Sequence, residues 1–403
     1  MDILQLSKGK NQFDYKDLFK KTVELKDEFF SNSPPQIFIG SKLKLPFVNV
    51  GILSPPTRTE DSWLYSAEKY WAENNFSIQD VLKLRGNLIN SRFKAKVLDA
   101  RNSTKFLEIS QQIGMSISPV DVEIELQKKI RIGLDLDSVS APMGPRAPLK
   151  KITLTENPKI PMKIDKVVDD TDLKASSALE YLYKNHFDNQ ALTQLLSLGV
   201  LGLKKNRKLV PTRFSITATD DILSKQIMSK LRDFNSISDY QLYFGNFLGN
   251  YYLIMLFPDV LSYELFEIYL PGSAWNNSEE LKVSTDYENY YGRKDYASNC
   301  VGGYYASRLP IMEKLNEDKR QASVLVLRFE TPSYWAGLGV WVVREAAKKS
   351  ISSVPLKFAS REEMMKEARN LIFKQLNFDI NTILPRSSLY SKLKTQKKLF
   401  EFV

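Results

Sequence analysis

The chain has 403 residues, 43% of them hydrophobic and 26% charged, enough for a large core and about two or three domains at ~150 residues each. A single cysteine, Cys300, and a single histidine, His186, exclude an internal disulfide framework and a Cys/His zinc site; no metal ligand set is expected, and the usage suits a reducing compartment. The net charge of +10 is compatible with a nucleic-acid partner and equally with simple solubility.

The opening residues, Met1-Asp2-Ile3-Leu4-Gln5, have neither the basic start nor the apolar run of a signal peptide. The longest apolar run, 251–257, is far short of the ~20 residues that span a bilayer, so a cytoplasmic location with no membrane partner is expected. Residues 1–34 read as an N-terminal helical segment, with charged and apolar residues at helical spacing over 14–30 and a stop at Pro34-Pro35. Residues 36–40 and 47–51 read as short strands. Ser77 with Asp80 opens a helix whose buried face carries Ile78, Val81, Leu82, Leu88 and Ile89. Residues 120–126 alternate apolar and acidic residues, the pattern of a half-exposed strand.

Pro142, Pro145, Pro148, Pro158 and Pro161 interrupt every period over 136–171, which predicts a long irregular crossing. Helices are predicted over 172–184 and 189–201, and Thr219 is predicted to cap another, with Asp220 and Asp221 in its first turn. The apolar runs 240–244, 251–257 and 263–270 predict an antiparallel meander. A helix over 299–317 containing Pro310 follows, then strands over 323–329 and 339–343. Ser360-Arg361-Glu362-Glu363 opens a helix with Met364, Met365, Ala368, Leu371, Ile372 and Leu376 on one stripe. Together these elements predict an α+β fold, a largely antiparallel mixed sheet with surrounding helices, ending in a flexible C-terminal tail.

The phrases Ser140-Ala141-Pro142-Met143-Gly144-Pro145, Leu209-Val210-Pro211-Thr212-Arg213-Phe214-Ser215-Ile216-Thr217-Ala218-Thr219-Asp220-Asp221, Gly302-Gly303-Tyr304-Tyr305-Ala306-Ser307-Arg308-Leu309, Arg320-Gln321-Ala322-Ser323-Val324-Leu325-Val326-Leu327-Arg328 and Gly339-Val340-Trp341-Val342-Val343-Arg344-Glu345 resemble the archaeal Nre family of DNA-repair proteins. The resemblance covers most of the chain. It implies an N-terminal family region over 35–320, a C-terminal region over 321–385 on the same core, and a role in DNA-damage repair. Many members begin with a cysteine cluster that looks like a zinc site; this chain has none there.

Inside the family phrases lie three polar clusters: Thr212, Arg213, Ser215, Thr217, Asp220 and Asp221; then Asp286, Glu288, Arg293 and Asp295; then Tyr304, Tyr305, Arg308, Arg344 and Glu345. One reading gathers them in a pocket where Arg213 and Arg308 hold phosphate and Glu345 or Asp286 acts as base or metal ligand. A nicotinamide-dinucleotide site of the ADP-ribosyltransferase kind would use the same residue types, so no cofactor is fixed. The other reading makes them structural ion pairs and caps. A nuclease reading rests on Pro258-Asp259 followed by Glu280-Leu281-Lys282, a degenerate two-carboxylate pattern. Lys204, Lys205, Arg207 and Lys208 form a basic cluster suited to DNA, or a solvated turn. Trp63, Tyr65, Tyr70 and Trp71 could stack on bases or fill a core.

The chain ends Gln396-Lys397-Lys398-Leu399-Phe400-Glu401-Phe402-Val403. One tight turn would put Leu399, Phe402 and Val403 on one apolar face, extended by Phe400, with Gln396 hydrogen-bonding beside it. This resembles the motif by which replication and repair proteins dock on the sliding clamp (PCNA). Residues 386–403 are the expected flexible tail, in which 386–395 form a leash of up to ~33 Å.

Overall fold

The computed structural model describes residues 27–130 and 133–395. The chain forms two compact units, Met1–Leu223 with Gly337–Trp341, and Ser224–Ala336 with Val342–Val403. The expected regions 35–320 and 321–385 do not coincide with these units.

The first unit holds strands β1 (Glu28–Ser33), β2 (Ile37–Ile39), β3 (Phe47–Ser54), β4 (Ile89–Lys96), β5 (Val120–Leu126) and β6 (Arg146–Leu154), in the sheet order β1-β5-β6-β4-β3-β2. Its helices are α1 (Glu68–Glu73), α2 (Ile78–Gly86), α3 (Lys105–Met115), α4 (Met162–Asp169), α5 (Ala175–Lys184) and α6 (Asn189–Ser197), followed by α7 (Thr212–Leu231), which runs past Leu223. The predicted capping box opens α2: Ser77 Oγ accepts from Asp80 N at 3.2 Å, and Asp80 Oδ2 accepts from Ser77 N at 3.0 Å. In β5 the alternation holds, with Val120, Val122, Ile124 and Leu126 buried.

Three expectations for this unit are corrected. Most of the N-terminal helical segment lies outside the described residues, but Glu28–Ser33 is a strand paired antiparallel with β5, because tertiary pairing overrides a weak helical period. Residues 136–171 are not wholly irregular. They contain β6, whose Ala147, Leu149 and Ile152 are buried between outward basic residues, and α4, where Pro161 sits at the N-cap. Thr219 is not a cap but a buried residue inside α7, which starts just after Pro211.

In the second unit β7 (Tyr240–Phe247), β8 (Asn250–Phe257), β9 (Ser262–Tyr269), β10 (Lys282–Glu288), β11 (Ser323–Glu330) and β12 (Leu356–Phe358) form a sheet in the order β10-β9-β11-β8-β7-β12. The predicted meander is interrupted: β11 inserts between β8, antiparallel, and β9, parallel. The helices are α8 (Val301–Glu317), α9 (Val340–Ile351), α10 (Arg361–Leu376) and α11 (Ser388–Thr395). One sheet face carries Leu253, Met255, Phe257, Phe266, Ile268, Leu325, Leu327 and Phe329, packed with Met364, Met365, Ala368 and Ile372 of α10 and Leu389 of α11. Ser360 Oγ accepts from Glu363 N at 3.2 Å to start α10, as predicted.

Two further expectations fail here. The predicted strand 339–343 is not one: Val340 opens a helix, Val340, Trp341, Val342 and Val343 are all buried, and a uniformly apolar run has no period to separate the two states. The leash over 386–395 is largely helix α11, whose Leu389 is buried in the core. Its first turn is capped by Glu264 of β9, which accepts from Ser388 N at 2.9 Å, Leu389 N at 3.0 Å and the Ser387 hydroxyl. Burial holds the Glu264 carboxyl above its ordinary value, with these donors pulling it down.

Candidate functional site

Side chains alternate along a strand, so the face of the second sheet opposite α10 carries Tyr263, Glu267 and Tyr269 of β9, Arg328 and Glu330 of β11, and Asp286 and Glu288 of β10. α8 lies on this face. Gly303 lets α8 approach closely there, since an added Cβ would come within 2.2 Å of Glu267 Oε1, a carboxylate that Arg328 holds. Arg328 joins Glu267 and Glu330, the latter at 3.0 Å, and donates from Nε and NH2 to Asn250 Oδ1 at 3.0 and 2.7 Å. Tyr269 OH donates to Glu267 at 2.8 Å, and Trp275 N to Glu330 at 3.2 Å. One guanidinium therefore serves two buried carboxylates. Burial works against the Arg328 charge, but Glu267 and its neighbours outweigh it and hold the group well above its ordinary value.

Burial pushes Glu330 up from 4.5 to about 7, and Arg328 offsets only part of that. A carboxyl that titrates higher in the fold than in the unfolded chain favours folding while protonated. Its contribution is complete below 4.5 and is lost as pH rises through about 7. Glu330→Gln removes this dependence. Its melting temperature relative to the natural chain should rise steadily from about pH 5 to pH 8; a difference that stays flat or falls with pH rules the assignment out.

Asp286, Glu288 and Arg293 of the second sequence cluster meet Tyr304, Tyr305 and Arg308 of the third, next to this network. Asp286 Oδ2 accepts from Asn299 N at 3.0 Å and Cys300 N at 2.8 Å, fixing the backbone just ahead of α8. Arg293 pairs with Asp286 at 3.1 Å and donates to the carbonyls of Tyr287 at 2.9 Å and Tyr296 at 3.2 Å. Arg308 is fully buried, bound to Glu288 at 2.7 Å and to Ser224 Oγ at 3.1 and 2.7 Å, under the rings of Tyr304 and Tyr305. A guanidinium enclosed in this way is an ion-pair and packing element, not an open phosphate site. Glu345 is half-buried on α9 and acts on Lys349 one turn along. The Cys300 thiol is buried and pushed well up, which makes it a poor nucleophile.

Arg213 belongs to the first unit, in the first turn of α7, 3.7 Å from Asp137 Oδ2 and half-exposed beside Phe214. Asp259 precedes β9, whereas Lys282 pairs with Tyr269 at the far end of that strand, so the two halves of the nuclease pattern flank opposite ends of a strand ~24 Å long. Among the described residues no three His, Cys, Asp or Glu side chains gather as a metal-binding group.

Of the basic cluster, Lys204, Lys205 and Lys208 are exposed. Arg207 is not: it donates to Gly202 O at 2.9 Å and Val168 O at 2.6 Å, and so fixes the loop. The loop is stitched to residues 97–101 by Leu209 N to Val97 O at 2.9 Å and Arg101 Nε to Arg207 O at 3.2 Å. This brings the exposed Lys96 and Arg101 alongside, a neighbourhood that sequence reading missed because more than a hundred residues separate Arg101 from Arg207. Of the aromatics, Trp71 is core, 5.5 Å from Trp341, whereas Trp63 and Tyr70 are each 40% exposed. Trp63 lines a cleft of about 470 Å³ that also contains His186. Gln396, Leu399, Phe400, Phe402 and Val403 lie outside the described residues.

Comparison with known proteins gives one answer along the chain. The family described as "Archaeal Nre, N-terminal" matches residues 11–276, and "Archaeal Nre, C-terminal" matches 288–402. "DNA repair protein NreA" of Haloferax volcanii is 37% identical over 339 residues, 83% of this chain and 80% of the relative. "DNA repair protein NreA" of Archaeoglobus fulgidus is 38% identical over 370 residues, 89% of this chain and 91% of the relative. "DNA repair protein NreB" of the same organism is 34% identical over 381 residues, 94% and 93%. No solved structure matches, and no helix among the described residues is long and apolar enough to cross a membrane. With both halves matched and such relatives covering most of its length, the chain belongs to the archaeal Nre family.

Proposed function

We propose that this protein acts in DNA-damage repair, recruited to the sliding clamp (PCNA) by its C-terminal Gln396, Leu399, Phe400, Phe402 and Val403. The observation that carries the reading is the spacing of these residues at the C-terminal end of a chain whose relatives are named DNA repair proteins. The position of α11 supports it. Because α11 is pinned by Glu264 and is described as far as Thr395, the docking residues follow an anchored helix in the chain. A clamp would then be held close to the second unit. A short peptide of this kind binds with roughly micromolar affinity, about −8 kcal/mol, and a multivalent clamp on DNA raises the effective concentration.

The same account gives Lys204, Lys205 and Lys208, with Lys96 and Arg101 beside them, to the phosphate backbone. Arg308 is enclosed and paired, which speaks against an enzyme pocket built on Arg213, Arg308 and Glu345. Phe402→Ala removes the aromatic plug. Clamp affinity should fall at least about tenfold in calorimetry with an unchanged melting temperature; undiminished affinity would remove the motif from the account.

A further inference from the structure

The loop between β10 and α8, residues 289–300, presents tyrosines to solvent on a fixed backbone. Tyr291 is 86% exposed and Tyr296 49% exposed. Exposed loop aromatics are often incidental, but this loop is built to hold its shape. Arg293 ties the carbonyls of Tyr287, Asp295 and Tyr296 to Asp286. Ala297 N donates to Tyr305 OH at 2.9 Å, and Arg232 Nε donates to Tyr290 O at 2.9 Å. Gly292 takes a φ of +81°, closing the turn with its N–H on Asn289 O at 2.9 Å, while Asn289 Oδ1 accepts from Tyr291 N at 3.0 Å.

The rings continue inward. Tyr296 stacks on Tyr305 at 5.4 Å and 26°, Tyr305 meets Tyr304 edge-on at 5.3 Å, and Tyr304 meets Tyr263 of β9 at 5.1 Å. Beneath them Arg308 and Glu288 lock the base of the column. A half-exposed ring is thus braced from the sheet outward. Lys294 lies exposed between Tyr291 and Tyr296 in the chain.

We propose that this loop is a stacking site for unpaired bases of single-stranded DNA, with Tyr291 and Tyr296 as the platforms and Lys294 against the adjacent phosphate. The proposal rests on the DNA-repair reading and adds a second contact, separate from the clamp residues and from Lys204, Lys205 and Lys208. Three features select this ligand. Protruding rings need an exposed π-face, which duplex bases do not offer. An exposed lysine, Lys294, lies between the two tyrosines in the chain and suits a phosphodiester. The braced backbone lowers the ordering cost of binding. A buried charge network under an exposed aromatic loop is then explained as its support.

The test is fluorescence anisotropy of the full chain with labelled oligothymidylate about 15 nucleotides long, against a duplex of equal length. Tyr291→Ala should weaken oligothymidylate binding about tenfold, Tyr296→Ala should weaken it too, and Tyr291→Phe should bind as the natural chain. Duplex binding should be unchanged in all three. Phe402→Ala should keep oligothymidylate binding while losing the clamp, so failure of the clamp reading and failure of this one are distinguishable. Tyr291 is so exposed that its variants leave the melting temperature unmoved. Absence of oligothymidylate binding by the natural chain overturns the proposal. So does Tyr291→Ala binding like the natural chain while Lys204→Ala/Lys205→Ala/Lys208→Ala does not.

Discussion

Arg328→Met should destabilise the second unit by about 3–5 kcal/mol, because it leaves Glu267 and Glu330 buried without a cation. Methionine fills much of the arginine's volume, so the loss reports charge and hydrogen bonding more than a cavity. The guanidinium also holds Asn250 Oδ1 through two donors, and that oxygen would be stranded. Hydrogen exchange is the appropriate readout, since a chain of two units need not melt in one step. Amides of β9 and β11 should lose protection while those of β3 and β5 keep theirs. The loss should be smaller at about pH 5 than at pH 8, since protonation relieves the stranded Glu330 carboxylate. Adding Glu330→Gln to Arg328→Met should restore part of the protection. Equal protection in Arg328→Met and the natural chain would mean that the network carries no net stability.

Gly144→Ala should cost the first unit about 3 kcal/mol. A Cβ at this position would lie 2.3 Å from Leu88 O, 2.7 Å from Arg85 O and 2.9 Å from Gly86 O. All three are main-chain atoms at the end of α2, so no flexible side chain can move aside. The segment cannot easily shift either. Pro145 O accepts from Asn90 N at 2.7 Å, Pro142 O accepts from the buried Arg85 Nε at 2.8 Å, and residues 135 and 143 exchange both backbone hydrogen bonds. Gly133→Ala is the control, because nothing lies within 4 Å of its added Cβ, and it should be nearly silent. Equal denaturation midpoints for the two variants would contradict this packing.

Local signals in the sequence were reliable where they were local in origin. Ser77 with Asp80, Ser360 with Glu363 and the alternation of 120–126 each fix an element from a few neighbouring residues. The misread stretches depend on distant partners. Residues 340–343 look like a strand until all four are seen buried in the first turn of α9, and 28–30 look helical until β5 pairs with them. No local pattern places β11 between β8 and β9, or Glu264 under the first turn of α11. The polar clusters show the same limit. Sequence reading singled out Asp286, Glu288, Arg293 and Arg308. That Arg308 is spent on Glu288 and Ser224, and that Arg293 braces a tyrosine loop, follows only from the three-dimensional pairing. Tyr291 carries no sequence signal beyond its aromatic neighbours.

Calorimetry of the full chain and a chain ending at Thr395, each titrated with the sliding clamp, tests the central claim most directly. The account predicts that truncation abolishes clamp binding and leaves the melting temperature unchanged, since α11 stays capped by Glu264 and packed through Leu389. Clamp binding that survives truncation, or a fold that loses stability with the last residues, would contradict it.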